Sequence, residues 1–177
     1  SPVRCALLFL CVLVPGSLAA QHQLLEQRWT ETTTDNFVLY SQASSRQTQR
    51  FADQLENWRR IAADIIGRSA PFPKASVPNY VYLFENAENF QHFTRATEHA
   101  FFYRTPRSNF MALVLDDELS IRGAIHHYLH FLLRNYSDLR LPRWYEEGMA
   151  GYISRMQINS GKAEFERFSR EDNELLA

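Results

Sequence analysis

Three short runs rich in aromatic and β-branched residues punctuate the chain: Asn36–Ser41, Asn79–Phe84 and Phe110–Leu115. Each reads as a strand. Long patterns of helical period separate them. Ser44–Ile66 places Phe51, Leu55, Trp58, Ile61, Ala62 and Ile65 on one stripe, and Gly67 ends it. Glu88–Thr94 reads as a short helix carrying Phe90 and Phe93, and Thr97–Ser108 as a polar and aromatic loop. Asp116, Asp117 and Glu118 suit a helix start, since carboxylates complement free N–H groups there. That helix runs to about Arg134, with Asn135 as its stop, and Pro142 suits the first turn of the next. Ser160-Gly161-Lys162 reads as a turn and Ala163–Ala177 as a charged helical pattern. The order β-α-β-α-β-α-α predicts a mixed α/β or α+β domain.

The first twenty residues are expected to lie outside that domain. Arg4 is a positive n-region, Cys5–Val14 an unbroken apolar run, and Pro15 and Gly16 break it ahead of Ser17-Leu18-Ala19-Ala20. These are the three parts of a cleavable signal peptide. The run falls short of the roughly 20 residues that span a bilayer, so no stable membrane span is expected after cleavage and the mature protein is placed in the periplasm or outside the cell. Residues 21–35 read as a polar leader and 36–177 as the domain. Both cysteines, Cys5 and Cys11, fall in the signal segment. The exported chain thus has no disulfide to lean on, and its core must hold it unaided. The 19 basic residues nearly balance the 20 acidic ones, which argues against a nucleic-acid partner bound by bulk charge.

The most informative stretch is Ile125-His126-His127-Tyr128-Leu129-His130. On a helix, His126 and His130 are separated by about 40° of rotation and ~6 Å of rise, so both rings share one face. Two imidazoles so placed can occupy neighbouring positions on one tetrahedral zinc. A lone histidine at such a position is usually a surface or core filler. The following segment, Leu141-Pro142-Arg143-Trp144-Tyr145-Glu146-Glu147-Gly148-Met149-Ala150-Gly151-Tyr152, places carboxylates early on the next helix. A short connection makes the two helices neighbours, so one carboxylate can close a His, His, Glu site with an open fourth position.

An H-x-x-x-H helix followed by W-x-x-E-G-x-A-x-Y resembles the gluzincin-type zinc metallopeptidases, the clan that includes thermolysin, and within it the bacterial exported "peptidase MA-like" group. The usual text there is H-E-Y-x-H, a loop, then L-P-x-W-x-x-E-G-x-A-x-Y. This chain matches at His126, Tyr128 and His130 and again at Leu141, Pro142, Trp144, Glu147, Gly148, Ala150 and Tyr152. The resemblance spans roughly Asn36–Tyr152 and is sharp over His126–Tyr152. It implies an α+β, zincin-like domain with a small mixed sheet packed on helices, and a Zn2+ cofactor held by His126, His130 and Glu147. It also implies a peptide or protein substrate hydrolysed by metal-activated water, and further helices beyond this chain's end. Glu146, about 100° away on the helix, would be solvated or support a ligand. Tyr152 would hydrogen-bond the oxyanion or pack on the first strand layer. Trp144 would anchor its helix on the core, and Phe110–Leu115 would be an edge strand for an extended substrate or an ordinary buried one. His99 reads as a loop residue, while His22 and His92 have no motif context.

The chain departs from the pattern at position 127, where the family's general-base glutamate is His127. Imidazole has a reference pKa of about 6.5 and accepts protons near neutrality, yet it is bulkier and offers no anion. Three readings follow: a substitute base, a zinc-binding pseudopeptidase that binds peptides or partners without cleaving them, or a surface residue.

Overall fold

The computed structural model describes residues 28–91, 100–136, 141–159 and 162–165. In chain order the elements are β1 (Thr30–Thr33), β2 (Val38–Ser41), α1 (Ser45–Ile65), β3 (Asn79–Phe84), α2 (Ala87–Gln91), β4 (Ala100–Arg104), β5 (Asn109–Val114), α3 (Glu118–Tyr136), α4 (Arg143–Ser154), β6 (Met156–Asn159) and β7 (Lys162–Phe165). The first five strands form one sheet in the order β1-β2-β3-β5-β4. The inner strands β2, β3 and β5 run parallel, and β1 and β4 flank them antiparallel. A separate antiparallel hairpin, β6-β7, follows α4. The result is a mixed α+β architecture, as the strand and helix order implies.

Alternation along the strands divides the apolar residues between two layers. Leu39, Val81, Leu83, Met111 and Leu113 face the helices, meeting Phe51, Leu55, Trp58 and Ala62 of α1 and Ala124, Tyr128, Leu129 and Leu132 of α3. Tyr40, Tyr82, Phe84, Phe110 and Val114 face the other way, with Phe90 of α2 and Trp29 over them. Trp29 meets Phe84 edge-on, with centroids 5.4 Å apart. A buried Arg59 ties the helical layer together. Its guanidinium donates to the Tyr128 hydroxyl at 2.7 Å and to the carbonyls of Phe72 and Pro73.

Three expectations are corrected, and one choice is decided. The polar leader contributes β1: Thr-Glu-Thr-Thr has no apolar residue, but an edge strand needs only backbone pairing on one side, and β1 pairs Thr30 with Ser41. The expected loop at Thr97–Ser108 contains β4, whose Phe102 faces the helices and whose Phe101 faces the opposite layer. Because β4 lies outside β5, Phe110–Leu115, expected as an edge strand or an ordinary buried one, is the buried one, with all six residues of Asn109–Val114 buried, as befits a strand covered on both faces. Finally, residues 162–165 pair with β6 rather than starting a helix. The expected signal segment, His22, His92 and His99 lie outside the described residues. No helix among the described residues is long and apolar enough to cross a membrane.

Candidate metal centre

Helix α3 is anchored by its apolar face, on which Ala124, Ile125, Tyr128, Leu129 and Leu132 are buried. His126 and His130 stand on the remaining face, one turn apart. Helix α4 lies alongside. It begins directly after Pro142, whose carbonyl accepts from the backbone N–H of Tyr145 and Glu146, and it buries Ala150, Ile153 and Ser154. That orientation brings the first turn of α4 over the histidine pair.

His126 Nε2 and His130 Nε2 are 3.1 Å apart, His130 Nε2 and Glu147 Oε2 3.2 Å, and His126 Nε2 and Glu147 Oε2 3.4 Å. The edges of a tetrahedron around an ion with bonds of ~2.0–2.1 Å measure about 3.3–3.4 Å. The three atoms thus outline one face of such a coordination shell, and His126, His130 and Glu147 are close enough to hold a metal ion. Glu147 is the most open of the three, its side chain 45% exposed against 12% for His130, so the cluster is reachable from solvent.

Protonation states favour ligation. Burial, then the His130 and His127 rings, hold the His126 imidazole below its ordinary value. Burial works against ionisation of Glu147, but the His130 and His126 rings outweigh it and hold the carboxyl below the usual range. A neutral imidazole and an ionised carboxylate are the forms that bind metal.

The neighbouring carboxylate has a different task. Glu146 Oε1 lies 2.5 Å from His130 Nδ1 and accepts from Arg134 Nε at 2.7 Å, with a side chain only 13% exposed. Held by Nδ1–H donation to Glu146, the His130 ring leaves its Nε2 lone pair for the cluster. Glu146 thus orients the His130 ring and is not left to solvent. Arg134 escaped sequence reasoning, although it follows His130 by four residues and so shares its helix face.

The remaining expected residues fall elsewhere. His127 is exposed, its ring 5.8 Å from that of His126. Tyr152 lies about 140° around α4 from Glu147. It lines a groove with Ile65, Trp144 and Tyr145 that includes none of His126, His130 and Glu147. Trp144 does not anchor its helix: it is 74% exposed, because the face carrying Ala150 and Ile153 is the one that meets the core. No family model matches the chain, and no curated protein matches it.

Proposed function

We propose that this is an exported zinc-dependent metallopeptidase-like protein that hydrolyses peptide bonds, with His127 in the place of the usual base glutamate. The observation that carries it is the His126–His130–Glu147 triangle, with edges of 3.1–3.4 Å. Two imidazole nitrogens, one carboxylate oxygen and an open side are the donor set of a catalytic zinc site. Bound there, zinc would act as a Lewis acid on a substrate carbonyl and on water. The chain's own residues would do the rest. Glu146, backed by Arg134, fixes the His130 ring. His127, its ring 5.8 Å from that of His126, would be the residue to accept a proton from the attacking water. β4, at the sheet edge among the described residues, lies over α3 with Phe102 against Tyr128 at 5.8 Å between centroids, and would offer its backbone edge to an extended peptide.

A second reading, a zinc-binding pseudopeptidase that holds peptides without cleaving them, is favoured by one observation: position 127 carries no carboxylate. Metal analysis of the purified protein, beside a quenched-fluorescence peptide-library assay, separates the two. Stoichiometric zinc with hydrolysis that disappears in His127→Ala supports the peptidase. Stoichiometric zinc without hydrolysis supports the pseudopeptidase. In that case His127→Glu is expected to create activity, because a placed base contributes about 10²–10⁴-fold. Protein that binds no zinc defeats both. Export is tested by N-terminal sequencing of the secreted product, expected to start near Ala20 or Gln21.

A further inference from the structure

Glu146 is gripped by two groups of one helix. Its Oε1 lies 2.5 Å from His130 Nδ1 and accepts from Arg134 Nε at 2.7 Å, so a single oxygen receives both. His130 and Arg134 are four residues apart on α3, which separates them by about 40° of rotation and ~6 Å of rise. The pair therefore brackets the oxygen from two points of one rigid element. A carboxylate held by an imidazole alone can pivot about that one hydrogen bond. A second donor from the same helix fixes the oxygen, and with it the plane of the ring that meets it.

The other nitrogen of that ring is a corner of the candidate metal centre. His130 Nε2 lies 3.1 Å from His126 Nε2 and 3.2 Å from Glu147 Oε2. Nδ1 and Nε2 belong to the same rigid ring, so turning one turns the other, and the triangle keeps its shape only while Glu146 keeps its place. Glu146 and His130 are 13% and 12% exposed in their side chains, whereas Arg134 is 59% exposed. Arg134 thus closes this chain of hydrogen bonds from the solvent side. A largely buried carboxylate is costly with too few donors, and Arg134 supplies the one that His130 cannot. As a basic residue in the last turn of α3, Arg134 also suits the helix macrodipole. That contribution bears on stability and does not reach the geometry of a bound ion.

We propose that Arg134 is a positioning residue of the metal centre, acting on His130 through Glu146. The proposal rests on the metal-site reading above. It assigns part of the metal affinity to a side chain that meets Glu146 and none of His126, His130 and Glu147.

Cobalt(II) titrated into the full chain tests it, because the visible absorption bands of the bound ion report the geometry of its ligands. Arg134→Met keeps the aliphatic stem and removes the donor. It should weaken cobalt binding by about tenfold and shift the bands. The contact is single and not a bidentate fork, so Arg134→Lys, whose ammonium can reach the place of Nε, should stay within about threefold of the original protein. In a Glu146→Ala background, Arg134→Met should change neither affinity nor bands, since its route to His130 is gone. Circular dichroism of the metal-free proteins checks that each is folded, and Arg134→Gln replaces Arg134→Met if the latter is not. Unchanged affinity and bands in Arg134→Met overturn the proposal, and so does an equal loss in the Glu146→Ala background. Cobalt binding indifferent to Arg134 leaves the metal-site reading standing, whereas an original protein that binds no cobalt overturns both.

Discussion

Glu146 and Glu147 are adjacent in the chain yet meet different histidine nitrogens, Glu146 at His130 Nδ1 and Glu147 at His130 Nε2 and His126 Nε2. An adjacent pair on α4, separated by about 100°, presents two carboxylates at two heights over the same ring. Glu147→Ala should therefore remove a ligand outright and abolish tight zinc binding. Glu146→Ala should weaken it by about 10–100-fold, the usual loss when the group orienting a ligand is deleted. A competitive zinc titration ranks the two, and a larger loss from Glu146→Ala would reverse their assignments. Tyr128, two residues from both His126 and His130, serves stability instead. Burial pushes its phenol far above the usual range, and Arg59 beside it offsets only part of that. A folded-state value above the unfolded one means a contribution present below pH ~10 and lost as pH rises further. Tyr128→Phe should destabilise by about 1–3 kcal/mol at neutral pH, since it strips a hydrogen bond from a buried cation. The gap between the two proteins should narrow in urea melts run above pH ~10.

At the scale of elements, helix α1 owes its start to a reciprocal pair: the Ser44 hydroxyl accepts from the Gln47 backbone N–H, and the Gln47 side chain accepts from the Ser44 backbone N–H. Ser44→Ala should cost about 1 kcal/mol in denaturant midpoint terms. Helix α3 lies close under β4 at Gly123, where an added Cβ would meet Ala100 Cβ at 3.6 Å, an ordinary contact. Gly123→Ala should thus be neutral or stabilise by up to ~1 kcal/mol through helix propensity. Gly123→Leu should destabilise by about 1–3 kcal/mol through overpacking. Thermal melts of the two variants check the sign at each. Much of this layer was legible beforehand. The apolar stripe of Ser45–Ile65 and the runs at Asn79–Phe84 and Asn109–Val114 announce their elements through periodicity. β1 was not legible, because Thr30–Thr33 owes its strand to pairing with β2 and not to an apolar face. β4 was hidden by its neighbours, since Ala100–Arg104 sits in a polar surround and only packing against α3 and α2 divides Phe102 from Phe101.

In the whole molecule, the candidate metal centre joins two helices whose other attachments differ. α3 is buried against the sheet, while α4 covers less of the core and keeps a long exposed face. A metal ion held by both would bind the folded state alone and stabilise it through linkage. At about 100 times its dissociation constant, zinc should add ~2.7 kcal/mol, a rise of roughly 5–10 °C in melting temperature for a chain of this size. A chelator should reverse the rise in the original protein and leave the melting temperature of His130→Ala unmoved.

The sequence by itself determined which residues could share a face. Helical period alone puts His126 and His130 together, and a short connection makes the helix bearing Glu147 their neighbour. The tertiary structure decided what each face meets. It placed Glu147 at the triangle and Glu146 behind His130, put β4 at the sheet edge and β5 inside it, and turned Trp144 and Tyr152 to solvent. The reason is physical. Periodicity fixes directions around an axis, a local property of the backbone. The partner in each direction depends on how whole elements rotate to bury their best apolar stripe, and for α4 that stripe is Ala150 and Ile153, not its aromatics.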